Sequence, residues 1–279
     1  MPRIPVDCAD DVRLADYQTV RDPKLLRERG VFVAESREVV RILLDETDFT
    51  VRSLLVTQSA FESLGETIAG LHEDIPIYVG TRDLMERVIG YDIHRGCLAM
   101  GVRQQRLALA ELAGKDGVLV LLDAVSNPDN VGSVFRNALG FGAAGVVIGP
   151  RCADPLYRKS IRTSMGAALR LPFTEATDWN LALDDLRHDG WLVAALTLDA
   201  DAIDIDVFLK ERPRRLAWVL GNEGEGVGAV TRAAADVRVR IPIAGAVDSL
   251  NVATTSGIAL YLSSRSRNAD RTGRRSNGP

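Results

Sequence analysis

The residues whose chemistry stands out fall in three short segments, NPDNVGSVFRNALG, LGNEGEGVGAV and VDSLNVATTSG, around Asn130 and Arg136, Asn222 and Glu223, and Ser249 and Asn251. An arginine carries a permanent charge on a planar fork of donors that matches phosphate, and Arg136 falls one turn inside a helix whose N-terminus also favours anions. A solvent-facing arginine is the plainer account of it. Asn130 suits a helix N-cap, with Val131, Val134, Phe135, Ala138 and Leu139 forming the apolar face behind it. Asn222 and Glu223 end an apolar run, and a turn with its carboxylate on the next helix dipole is the alternative to a site there. Ser249 also suits an N-cap, and that role would account for it. Asn251 falls just inside the following helix and has no such account. The small residues Ala253, Thr254, Thr255, Ser256 and Gly257 predict that this helix packs closely against another backbone or another subunit.

Gly224, Gly226 and Ala229 match the GxGxxG/A spacing of a dinucleotide loop, so a nucleotide-dependent oxidoreductase is a competing reading. The match comes late in the chain, whereas that loop normally follows the first strand, and no acidic residue closes a following strand in the usual way. No GK[ST] sequence accompanies the glycines, which removes the phosphate-loop NTPases. His72, His94 and His188 lack metal-ligand spacing, and Cys8, Cys97 and Cys152 form neither a CxxC pair nor a disulfide framework. The chemistry has to proceed without a histidine base.

Two α/β domains must position these segments. Residues 1–105 alternate short β-rich runs (VFVAE, VRSLLVT, PIYVG, CLAMGVR) with helical periodicity, which predicts a small α/β domain. Residues 106–116 read as a linker, with one helical turn at AELAG as the alternative. From residue 117 to 264 the runs GVLVLLD, GVVIG, WLVAALTL, LAWVLG and VRVRIPI are almost continuously apolar, as a parallel sheet covered on both faces requires. The three segments follow strands of this doubly wound domain, where ligands bind in open parallel sheets. Residues 265–279, rich in Arg, Ser, Gly and Asn, read as a disordered basic tail.

The net charge of −4 argues against indiscriminate coating of nucleic acid, while the arginines at 21, 27, 29, 37 and 41 leave room for a local basic surface. No stretch approaches the roughly 18 uninterrupted apolar residues of a membrane span, and the N-terminus lacks a signal-peptide pattern, so the expected location is cytoplasmic.

In this order, NPDNVGSVFR, LGNEGEGV and IPIAGAVDSLNVATTSGIALY resemble the three signature motifs of the SpoU (TrmH-like) family of RNA ribose 2′-O-methyltransferases, within the SPOUT superfamily. SMGAALRLP is similar to the family's Ser-x-Gly-Ala segment. The N-terminal RERGVFVAESREVVRILL is similar to its small substrate-binding domain, with Ser36 where a glycine after the glutamate is usual. The resemblance implies a trefoil knot in the C-terminal domain, a homodimer with the last helix in its interface, and S-adenosyl-L-methionine as cofactor. It implies cofactor contacts at Leu196, Thr197, Leu220, Gly221, Asn222, Ile241 and Leu250. The substrate would be structured RNA, ribosomal RNA in preference to transfer RNA. Arg136 would be the catalytic residue, with Asn130, Glu223, Ser249 and Asn251 holding its guanidinium and the ribose in line. An arginine stays protonated at neutral pH and is a poor base, so we expect it to clamp phosphate and stabilise a developing alkoxide. The alternative is an RNA-binding protein of the same fold without methyltransferase activity.

Overall fold

The change from alternating to continuous apolar runs marks two sheets of different character. The computed structural model describes residues 3–273 apart from 94–95, 105–106, 115, 212 and 246, with side chains to residue 266. His94 therefore lies outside the described residues.

The chain divides into two compact units, Met1–Gln105 with Pro155–Arg170, and Arg106–Asp154 with Leu171–Pro279. The first is built on strands β1 (Arg3–Pro5), β2 (Val31–Glu35), β3 (Val51–Val56), β4 (Ile77–Val79) and β5 (Cys97–Val102), in the order β1-β4-β3-β5-β2. The outer pairs β1/β4 and β3/β4 are parallel, while β5 runs antiparallel to both β3 and β2. Every residue of β2 is buried. The helix Arg82–Ile89 turns Leu84, Met85, Val88 and Ile89 onto Val31, Val33, Leu98 and Met100. Thr81 caps this helix and Gly90, at φ +74°, ends it.

Residues 155–170 differ from expectation in belonging to this unit rather than the C-terminal one. The helix Arg158–Thr163 is too short to stand alone, so it must be held by what it packs on. The Arg158 guanidinium lies over the Tyr91 ring, 4.2 Å from its centroid, and 3.5 Å from the Glu35 carboxylate, to which the Tyr91 hydroxyl also donates. Gly166 (φ +78°) lies against Ile42, and Arg170 pairs with Glu46 at 2.8 Å.

The second unit carries β6 (Gly117–Leu122), β7 (Gly145–Ile148), β8 (Phe173–Glu175), β9 (Leu192–Leu196), β10 (Ile203–Asp204), β11 (Arg215–Leu220) and β12 (Val237–Arg240). Among the described residues these form one sheet in the order β10-β12-β9-β11-β6-β7-β8, parallel throughout. The doubly wound parallel sheet expected from the buried runs is thus present. From β6 the chain builds outward through β7 and β8, then crosses to lay down the strands on the other side. The order reverses between β6 and β11, and crevices for ligands open at such a point.

Two further differences concern the ends of this unit. The expected linker contains the helix Leu109–Ala113, whose Leu112 and Ala113 join the core with Leu119, Leu186 and Trp191. The Trp191 indole N–H donates to the Ala113 carbonyl at 3.1 Å, so this segment is fixed to the sheet. The expected disordered tail is helical as far as Gly273, because Val252–Gly273 is one continuous helix; residues 274–279 lie outside the described residues. A helix anchored by tertiary contacts propagates more cheaply than it nucleates, and nothing before Gly273 breaks this one. Its anchors include the Trp218 indole, which donates to Ser263 Oγ at 2.9 Å. No helix among the described residues is long and apolar enough to cross a membrane.

Candidate active site

The loop after β6 leads into the helix Pro128–Gly140, which starts earlier than its apolar periodicity suggests. Pro128 at the first helical position needs no hydrogen-bond partner for its nitrogen, and Asn127 caps the end by accepting from Asp129 N at 2.9 Å. Asn130 is therefore not the cap but a buried residue of the first turn. The reverse correction applies at the third segment, where Ser249 makes no cap. Asn251 precedes the helix Val252–Gly273, its Oδ1 accepting from Ala253 N at 2.8 Å and its carbonyl from Thr255 N at 2.9 Å.

These two asparagines meet. Asn251 Nδ2 donates to Asn130 Oδ1 at 3.1 Å, and Asn130 Nδ2 donates to Glu223 Oε1. The orientation of both amides follows from one end of this chain. The Ala253 N–H can only donate, so Asn251 Oδ1 must accept, its Nδ2 must donate, and the same logic passes through Asn130 to the carboxylate. Aligned amides polarise one another along such a chain. The loops after β6, β11 and β12 are thereby joined side chain to side chain. Two turns further on, Asn137 Nδ2 donates to Ala253 O at 2.8 Å and Ser256 Oγ at 2.9 Å, and a side chain at Gly257 would lie 3.4 Å from that amide. The small-residue helix thus finds its close partner in Pro128–Gly140 of the same chain.

The glycine loop after β11 doubles back on itself. Asn222 and Gly226 exchange backbone hydrogen bonds at 3.0 and 2.9 Å, and a Cβ on Gly221 would lie 2.1 Å from Gly226 C and Val227 N. Asn222 spends its side chain on this turn, accepting from Gly224 N at 2.8 Å and donating to Ala124 O at 3.0 Å. Asp123, buried at the end of β6, accepts from Gly228 N at 2.9 Å and holds the far end of the loop. The sequence reading missed Asp123, although its place at the close of GVLVLLD was the signal that could have found it.

Above the ends of β9, β11 and β12, neighbours in the sheet, lies a cleft of about 330 Å³. Its walls include all seven residues expected at a cofactor, Leu196, Thr197, Leu220, Gly221, Asn222, Ile241 and Leu250, together with Glu223 and Ser249. Leucine and isoleucine side chains offer a face for a flat ring, while Glu223, Glu225 and Asp248 set negative charge at the polar wall. This combination suits a ligand with an aromatic base and a cationic centre, in the lower part of the usual 300–1,000 Å³ for small-molecule sites. Arg136 does not line the cleft. It is exposed and makes no hydrogen bond or ion pair among the described residues, so one chain does not bring its guanidinium to the asparagine relay. Burial pushes the Cys97 thiol up to about 12 and that of Cys152 up to about 11, so neither is a nucleophile at neutral pH.

Comparison with known proteins reaches the same region. Residues 117–261 match the model of the SpoU rRNA Methylase family. The chain is 36% identical to a protein named an uncharacterised tRNA/rRNA methyltransferase of Mycobacterium tuberculosis, over 92% of this chain and 90% of that one. It is 35% identical to the 23S rRNA (guanosine-2′-O-)-methyltransferase RlmB of Nitrosomonas europaea, over 71% and 76% of the respective chains. Its fold is similar to that of an rRNA methyltransferase from Sinorhizobium meliloti (TM-score 0.82, 22% identity, 95% and 98% coverage). It is similar also to the SpoU methyltransferase AviRb from Streptomyces viridochromogenes, crystallised with S-adenosylmethionine (TM-score 0.79, 23% identity, 93% and 100% coverage).

Proposed function

The chain belongs to the SpoU rRNA methylase family, RNA methyltransferases whose cofactor is S-adenosylmethionine, and from that premise we propose that it methylates a ribose 2′-hydroxyl in ribosomal RNA. The observation that carries this reading is the relay from Ala253 N through Asn251 and Asn130 to Glu223, ending beside a cleft lined by the seven expected cofactor residues. The 35% identity to an enzyme named for guanosine 2′-O-methylation of 23S rRNA supports both the position methylated and the class of RNA.

When bound, the cofactor supplies an electrophilic methyl group on a sulfonium. Leu196, Leu220, Ile241 and Leu250 would enclose its base, and the Gly221 loop would approach it with bare backbone. Glu223 keeps one carboxylate oxygen on Asn130, which leaves the other to accept from the ribose hydroxyl or from a guanidinium. Alignment of that hydroxyl supplies much of the rate, since good orientation is worth about 7–11 kcal/mol. Arg136, without a partner among the described residues, would clamp the neighbouring phosphate and stabilise the alkoxide as it forms. We place a homodimer and the family's trefoil knot in the same reading. The exposed Phe141 and Tyr261, stacked edge to face at 5.9 Å beside the paired helices, give the dimer an apolar patch.

The test is transfer of labelled methyl to ribosomal RNA from cells lacking the protein, followed by mapping of 2′-O-methyl positions. One ribose gaining the label is the expected result. Binding of RNA without transfer would replace this reading with that of a binding protein, and label on a base would overturn the 2′-hydroxyl.

A further inference from the structure

Among the described residues, the five charged ones lining the cleft are four carboxylates, Asp199, Glu223, Glu225 and Asp248, and one guanidinium, that of Arg232. The cofactor's amino-acid end brings a carboxylate of its own. Beside Glu223, Glu225 or Asp248 that group would face like charge, so among the described residues of the lining only Arg232 offers it a counter-charge. We propose that Arg232 receives the α-carboxylate of the cofactor and that Asp199 is the positioning residue that aims it. The proposal rests on the cleft being the cofactor site.

Both members of this pair are set by the loops that form the cleft. Arg232 lies on the helix Ala229–Ala234, tied back to the glycine loop by its own N–H on Gly228 O at 2.9 Å. The adjacent Thr231 is buried and accepts the Trp179 indole N–H at 2.9 Å, which ties this helix to the helix Trp179–His188. Asp199 follows β9, and its N–H donates to Thr197 Oγ1 at 3.3 Å. Arg232 Nη1 reaches Asp199 Oδ1 at 3.1 Å, while Asp199 Oδ2 is 3.4 Å from Arg238 Nη1, and Arg238 Nη2 meets Asp201 at 2.6 Å. Asp199 is thus shared between two arginines and neutralises Arg232 only in part. The Arg232 guanidinium gives one nitrogen to this contact and makes no other hydrogen bond among the described residues, so donors of its planar fork remain for a carboxylate. With its side chain 40% exposed, replacement leaves the core intact.

The experiment compares two ligands by calorimetry on the full chain, the demethylated product S-adenosylhomocysteine and 5′-methylthioadenosine, which keeps the nucleoside and sulfur but has no amino-acid end. Arg232→Met retains the apolar stem and removes the charge. We expect the variant to lose about tenfold or more in affinity for S-adenosylhomocysteine while binding 5′-methylthioadenosine within about twofold of the unaltered protein. Equal weakening of both ligands would make Arg232 a loop anchor and overturn the proposal alone, as would unchanged binding of S-adenosylhomocysteine. If the unaltered protein bound neither ligand, the cofactor reading of the cleft would fall, and this assignment with it.

Discussion

Asn130 carries two hydrogen bonds in opposite senses, so its loss leaves both neighbours short. In Asn130→Ala the Glu223 carboxylate and the Asn251 amide each lose a partner, and we expect about 2 kcal/mol less stability by urea unfolding. Because Asn130 does not line the cleft, S-adenosylhomocysteine affinity should stay near that of the unaltered protein while methyl transfer falls by roughly a hundredfold. A parallel fall in affinity and turnover would mean that the relay shapes the cleft rather than the reacting groups. At Arg136 the contrast to measure is Lys against Ala. A point charge cannot reproduce a two-pronged grip, so Arg136→Lys should be nearly as impaired in single-turnover transfer as Arg136→Ala, and near-full turnover by the lysine variant would refute the clamp. The types and order of these residues were legible in the sequence, but the capping roles of Asn130 and Asn251 were exchanged. Asn127-Pro128 held the clue, since proline favours the first helical position; the apolar periodicity beginning at Val131 hid it. That the two asparagines touch depends on loops 121 residues apart and has no local signal.

Among the elements, the glycine loop is the least tolerant. A methyl group on Gly221 would overlap the backbone of Gly226 and Val227, atoms that cannot rotate away, so Gly221→Ala must open the loop. The expected outcome is loss of cofactor binding by calorimetry with the sheet preserved in far-ultraviolet circular dichroism; tight binding by the variant would show that the loop can re-form around the methyl. The opposite case is Ser36, which caps the helix Arg37–Asp45 from a backbone φ of +91°. Side chains pay about 1–3 kcal/mol for such conformations, against a smaller loss of cap and unfolded-chain entropy, so Ser36→Gly should stabilise the protein by about 1 kcal/mol in urea. A lower midpoint would mean that the hydroxyl on Val39 N outweighs the strain. The departure at Ser36 was visible in the sequence, its strain was not. Buried strands such as β6 and β11 were legible because a strand covered on both faces is apolar at every position. The three-residue β8 and two-residue β10 show no period, and the order of strands follows from crossovers that local pattern does not encode.

At the scale of the whole molecule the division into units is not a single cut. Residues 155–170 leave the second unit between β7 and β8, supply buried Leu156, Ile161 and Leu169 to the first, and return. Sequence reading placed the boundary by the polar stretch near residue 105 and had no reason to assign a short helix 50 residues later to the N-terminal core. This arrangement changes what truncation does. Removing residues before 104 takes away Glu35, Ile42 and Tyr91, so the segment that packed on them is left with exposed apolar side chains and an unpaired Arg158. The N-terminal unit also carries Arg21, Arg27, Arg29, Arg37 and Arg41, and RNA affinity rests on such contacts with phosphate. The fragment 104–279 should therefore bind ribosomal RNA far more weakly than the full chain and melt at lower temperature. It should still bind S-adenosylhomocysteine, because every residue of the cleft lies in the second unit. Filter binding of RNA and calorimetry with the thioether separate these effects. Undiminished RNA affinity in the fragment would move substrate capture to the second unit, and loss of thioether binding would show that the cleft requires the first unit to hold its shape.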